Sequence, residues 1–155
     1  MVQSRCSGDL HSFGNNWHSA DARCSMAMMI YEVLPLFTDT VYMEASGEGY
    51  RGMRAVANVI INRAERRKKS IKYVCLRPWQ FSVWNRASDP NRRRLMETDL
   101  RKPKYRECMR ACLAAFDKDE TKGADHYYAT SIDPPKWTAR MTRTITIGRH
   151  RFFRS

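Results

Sequence analysis

Apolar side chains at Leu36, Phe37, Val41, Tyr42 and Ala45 recur at helical spacing, and the pattern breaks at Gly47 and Gly49. Just upstream, Met26 through Phe37 is the most apolar run of the chain. It is interrupted by Glu32 and Pro35 and falls short of the roughly 20 residues needed to span a bilayer, so it reads as a core helix and not a membrane span. A second helix is predicted from about Tyr50, with Met53, Val56, Ala57, Ile60, Ile61 and Ala64 on one stripe. Its cationic end, Arg66 to Lys69, suits the negative end of the helix dipole. Beyond Pro103, the positions Tyr105, Cys108, Met109, Cys112, Leu113 and Phe116 predict a third amphipathic helix.

The period then shortens. Lys122-Gly123 marks a turn, His126 to Ala129 alternates like a strand, and Pro134-Pro135 imposes an extended loop. Thr142 to Phe153 alternates around Gly148 like a hairpin. Between the helices, Pro78 to Asn85 reads as a shaped loop or short strand ahead of the turn signal Asp89-Pro90. Helices first and strands last predict an α+β domain, mainly helical with a small C-terminal antiparallel sheet. Residues 1–25, rich in Ser, Asn, Gly and His, are expected to be a loosely ordered extension, and 26–155 the functional domain.

Composition adds one strong constraint. The 155 residues carry 28 Lys and Arg against 16 Asp and Glu, a formal net charge of +12. No acid occurs from Pro134 onward. Such a chain suits a polyanionic partner: nucleic acid, an acidic membrane face or an anionic cell envelope. The basic groups lie in Arg63 to Lys72, Arg92 to Arg94 and Lys136 to Arg154, without a recognised nucleic-acid-binding motif. No export signal is visible in the first twenty residues. Five cysteines at irregular spacing fit reduced thiols better than a disulfide framework.

Candidate chemistry centres on Glu44 and Glu48, which flank the glycine-containing turn, where paired carboxylates suggest acid and base work. The competing reading is that both are solvated caps. Cys108 and Cys112, one helical turn apart, could offer thiolates to zinc, but both fall on the apolar stripe, and no metal site is expected. His126 and His150 are lone histidines suited to hydrogen bonding. Trp79, Trp84, Tyr127, Tyr128 and Trp137 suit sugar stacking as well as ordinary packing.

Taken together, Glu44-Ala45-Ser46-Gly47-Glu48, the run Arg54 to Arg63, Gln80-Phe81-Ser82 and the ending Ile147 to Phe153 resemble the SleB-type cell wall hydrolases, which include spore cortex-lytic enzymes and phage lysis proteins. The resemblance implies a lysozyme-like or lytic-transglycosylase-like domain that needs no cofactor and cleaves the MurNAc-GlcNAc bond of peptidoglycan. It makes Glu44 the general acid and base and carries Glu48 over as a motif residue. Gln80, Ser82, Tyr127 and Tyr128 become candidates to bind substrate, with Trp137 and His150 as supports of the cleft wall.

Two departures from the resembling proteins stand out. Val83 occupies a position where a cysteine often follows Gln-Phe-Ser, and a separate wall-binding domain is missing. These point away from spore cortex and toward a small lysin, made in the cytosol and reaching the wall through a membrane lesion. Its charge would hold it to teichoic acid, lipopolysaccharide or similar envelope anions. The alternatives are an amidase or peptidase using a metal or Cys75, and a nucleic-acid-binding module.

Overall fold

The computed structural model describes residues 20–85, 89–97 and 101–155, with side chains from Glu32 onward. Two units divide the chain, 1–33 and 34–155. Of the first, residues 1–19 lie outside the described residues, and with them most of the expected extension over 1–25. From Ala20 the chain is helical.

Helix α1 (Ala20–Ala45) is continuous where the sequence suggests two segments, and Pro35, with no N–H to give to the helical ladder, lies inside it. A single 3₁₀ turn (Ser46–Glu48) separates it from α2 (Gly49–Arg67). Gly49 has φ 69°, a left-handed conformation that glycine enters without steric cost, and it sits where the chain changes direction. Lys68 closes α2 in the left-handed region, its N–H bonded to the carbonyls of Ala64 and Glu65.

Two short helices escape the sequence pattern. α3 (Ile71–Leu76) starts at Ser70, whose hydroxyl accepts from the Tyr73 N–H at 3.1 Å. α4 (Pro90–Met96) starts at Asp89, which caps the Asn91 N–H at 2.8 Å, with Pro90 in the first helical position. The Asp-Pro pair is therefore a helix start and not merely a turn. Pro78 to Asn85 contains no strand; it carries a 3₁₀ turn over Ser82–Trp84. The predicted third helix is α5 (Pro103–Ala114). Its last stripe members, Leu113 and Phe116, stay exposed, although the Phe116 ring meets Phe37 edge-on at 5.9 Å.

The strands follow: β1 (His126–Ala129), β2 (Thr142–Ile147) and β3 (His150–Arg154), antiparallel in the order β1-β3-β2. A 3₁₀ turn over Lys136–Arg140 bridges β1 and β2. Tyr127 pairs with Phe152 and Tyr128 with Arg151, so neighbouring tyrosines face opposite sides of the sheet.

α2 is the axis of this unit and is buried around most of its circumference. Met53, Val56, Ala57 and Ile60 pack with Phe37, Val41 and Ala45 of α1, Val74 and Cys75 of α3, Phe81, and Cys108, Ala111 and Cys112 of α5. Opposite, Ala55 and Val59 meet Ala124, Ile147 and Phe152. Truncating Phe37 or Phe152, both fully buried, to alanine would cost about 3–5 kcal/mol.

A polar row on α2 organises a segment that has no regular structure. Arg54 donates to the Lys118 carbonyl and Glu120, and Asn58 to the carbonyls of Ala115 and Lys118. Asn62 donates to Asp119, Thr121 and the Ala124 carbonyl, and Arg66 to the carbonyls of Gly123 and Ser155. Four residues apart, these side chains share one face of the helix. The Arg54 to Arg63 run thus places polar residues where they fasten 115–125.

Candidate active site

Glu44 lies on the last turn of α1, half-buried, and the Tyr127 hydroxyl donates to its Oε2 at 3.2 Å. Burial pushes its carboxyl above the ordinary glutamate value of 4.5, because the charged form loses hydration. The Tyr127 hydrogen bond and the Arg63 charge pull the other way without cancelling that rise. The Tyr127 phenol is itself driven upward by burial and by the neighbouring carboxylate, so it stays a neutral donor.

Glu48 sits in a different environment. Its side chain is only 8% exposed, and Arg149 engages both oxygens: the backbone N–H at 2.8 Å on Oε2 and the Nε at 2.8 Å on Oε1. Burial alone would raise its pKa, but these bonds, with the charges of His150 and Arg149, hold it below the usual value. Two glycines leave room for it. A Cβ on Gly52 would stand 2.3 Å from Glu48 Cβ, and one on Gly148, at φ 56°, 2.5 Å from Oε2. Glu48 therefore ties the turn before α2 to the β2-β3 hairpin.

His150 connects the two carboxylates. Its ring meets Tyr127 edge-on at 5.0 Å, and its Nδ1, buried without a hydrogen-bond partner, lies 4.0 Å from Glu48 Oε2. Burial depresses its pKa, and the neighbouring Glu48 charge pulls it back up without cancelling the fall. Glu44, Tyr127, His150 and Glu48 thus form a connected set on the inner side of the sheet.

Arg63 is the residue that the sequence reading misplaces. Grouped there with the basic surface, it is buried, with its Nε donating to the Asp125 carbonyl at 2.6 Å and its guanidinium 5.7 Å from the Phe81 ring centre. The signal was present: 56, 60 and 63 share one helical face, which puts an arginine on the apolar stripe.

The remaining candidates lie apart from this set. Gln80 accepts from Arg67 at 3.3 Å and the Ser82 hydroxyl accepts from Asn91 at 2.7 Å, so the segment reaches Arg63 through Phe81. Tyr128 and Trp137 occupy the opposite face of the sheet, where Trp137 packs against His126, Tyr128 and Phe153 with ring centres 5.4 to 6.0 Å apart. Arg151 lies over the Tyr128 ring there and donates to its hydroxyl at 3.0 Å. Trp79 is 75% exposed, while the Trp84 indole N–H is bonded to Thr40. Cys75, Cys108 and Cys112 are all fully buried, and burial pushes the Cys75 thiol up to about 11.

Comparison with known proteins bears on this arrangement. No curated protein matches the chain. Among solved structures, the catalytic domain of the Bacillus cereus SleB protein is similar at 25% identity and a TM-score of 0.62, covering 78% of this chain and 88% of that one. The catalytic domain of the Bacillus anthracis germination-specific lytic transglycosylase SleB is similar at 24% identity and a TM-score of 0.60, covering 78% and 93%. The expected fold, mainly helical with a small antiparallel sheet, is the one those domains share. A family profile described as Cell Wall Hydrolase matches residues 47–153, which include Glu48, Gln80, Tyr127 and His150 and begin three positions after Glu44. With about two thirds of its length so matched, the chain belongs to the cell wall hydrolase family.

Proposed function

We propose that this hydrolase cleaves the MurNAc-GlcNAc bond of peptidoglycan with Glu44 as its one acid and base. The observation that carries the reading is the contrast between a half-buried carboxyl held toward its protonated form and a neighbour, Glu48, whose oxygens are both engaged. Protonated Glu44 gives its proton to the glycosidic oxygen as the bond to muramoyl C1 breaks. The resulting carboxylate takes the proton of the muramoyl 6-hydroxyl, whose oxygen closes on C1 to leave an anhydro sugar. Water attack in the inverting manner calls for a second, free carboxylate. Glu48, bonded twice to Arg149, is poorly suited to that task, which favours lytic transglycosylation over muramidase action. Its role in this reading is to position the hairpin that carries His150.

The amidase or peptidase alternative loses support at Cys75, since a fully buried thiol with a raised pKa yields little thiolate. Residues 26–155 would then be the catalytic domain of an endolysin. Its cationic C-terminal stretch would meet anionic envelope polymers. Among the described residues no helix is long and apolar enough to cross a membrane.

Mass spectrometry of fragments released from purified sacculi tests the reading. Anhydro-muramoyl ends from the wild type, absent with Glu44→Gln, are expected. Reducing muramic ends would return the water-activating role to Glu48, and free peptides with intact glycan would mean a different bond.

A further inference from the structure

The β1-β3-β2 sheet has a second face, opposite the one on which Tyr127 meets Glu44. Phe153 pairs with His126 on one side and Arg143 on the other, and Arg151 with Tyr128 and Thr146, so these six side chains share it. Trp137 lies on its aromatic half, and an open pocket of about 480 Å³ lined by Lys136, Trp137, Arg140 and Met141 adjoins that ring. Lys136, Arg140 and Arg143 are exposed. Among the described residues no acid pairs with them or with Arg151; Arg143 donates to the Thr146 hydroxyl and Arg151 to that of Tyr128. Asp125, the buried acid just before β1, is already bonded to His126 and Ser155 and paired with Arg66.

We propose that this face docks a linear wall polymer of phosphodiesters, on the far side of the sheet from Glu44, and so holds the enzyme to the layer it cuts. The proposal rests on the reading of peptidoglycan as substrate, though not on which of its bonds is cleaved, and it gives the cationic stretch a place and a partner. The four cations are spread over the 3₁₀ turn and two neighbouring strands, which lie about 4.8 Å apart, a row suited to repeating charges and not to a single ion. A phosphodiester chain carries a full charge at each repeat, and guanidinium forks match its oxygens in charge-assisted bonds. Trp137 offers the carbons between phosphates an apolar surface. A lipid layer fits less well: none of the large hydrophobic side chains left exposed lies between Lys136 and Arg154, so this face has nothing to bury among acyl chains.

Sacculi that carry poly(glycerol phosphate) serve as the probe, before and after hydrofluoric acid strips that polymer from the peptidoglycan. Co-sedimentation uses Glu44→Gln protein, in which cleavage is blocked, and its Lys136→Gln/Arg140→Gln/Arg143→Gln derivative. Stripping should weaken binding of the parent at least about tenfold, the scale of a charge-assisted hydrogen bond. The derivative should bind native sacculi as weakly as the parent binds stripped ones, with a shallower dependence on salt. Equal binding of the parent to both sacculi overturns the proposal, since stem-peptide carboxylates survive stripping, and that comparison leaves the face unaltered. So does a derivative that melts like its parent and holds native sacculi as tightly. Duplex DNA that binds the parent as well, per phosphate, as free poly(glycerol phosphate) would make the face a general polyanion surface and overturn the wall assignment. With Glu44 restored, the derivative should cleave soluble, polymer-free glycan like wild type; lost cleavage would place these cations in the cleft and overturn the docking role. Wild-type protein that releases nothing from sacculi would defeat the substrate reading instead, and sedimentation alone decides the face.

Discussion

The last turn of α1 and the 3₁₀ turn that follows it each carry a glutamate, and the two have opposite surroundings. Glu44 meets one phenol and low-dielectric packing, while Glu48 meets a backbone amide, a guanidinium and two glycines that admit no side chain beside it. One site destabilises the charged carboxylate and the other stabilises it. Proximity along the chain therefore says little about shared chemistry; the donors that reach each oxygen decide it.

The sharpest way to break this contrast is Glu44→Gln. Wall-cleaving activity should fall by about 10²- to 10⁴-fold in a protein that still unfolds cooperatively, since a lost general acid-base group is worth that much in rate. Glu48→Gln should act mainly on the fold. Loss of a buried carboxylate's bonds to Arg149, itself 72% exposed, is expected to cost about 1–2 kcal/mol in denaturant titration, with activity declining in parallel. Full stability with abolished activity would instead put Glu48 in the chemistry.

The pH dependence of stability separates the pair by sign. Glu48, with a lowered folded pKa, contributes stability above the ordinary glutamate value that is lost as pH falls through its folded value. Glu44, with a raised folded pKa, favours the fold at low pH, and that contribution is lost as pH rises through its folded value. Melting curves of the two Gln variants, referred to wild type, should diverge in opposite directions across the acid range.

Tyr127→Phe is a finer cut. Removing a bond that lowers the Glu44 pKa should move the alkaline limb of the activity profile to higher pH and reduce the rate by about tenfold, the scale of one hydrogen bond to a charged group. The smallest effect is expected on the far side of the sheet. Tyr128→Phe removes a hydroxyl that, among the described residues, is bonded to Arg151 alone, and should leave the activity profile within about twofold, at a stability cost of about 1 kcal/mol.

Elements whose polarity repeats were legible in advance: α2 and the C-terminal hairpin bury most of the residues that the period selects, and α5 buries Tyr105, Cys108 and Cys112 while Leu113 and Phe116 stay exposed. α3 and α4 span six and seven residues, too few for a period to emerge, and only their caps at Ser70 and Asp89 announce them. Within the site, Glu44, Glu48, Tyr127 and His150 could be nominated from residue type and motif. Tyr128 and Trp137 could not be separated from them, because a one-residue step in a strand reverses the face and sequence alone does not say which face meets the helices. Arg63 was hidden by its charge. Arginine usually signals surface, and its phase on α2 argued the opposite.

The polar row of α2 has a consequence for motion. Glu120 N–H is held by Asn58, and those of Thr121 and Gly123 by Asp119, which Asn62 holds in turn. A segment without helix or strand thus has amides whose opening requires α2 to release it. In deuterium exchange, Glu120, Thr121 and Gly123 should be protected with the free energy of the central helix, unlike the slack usual for a surface loop.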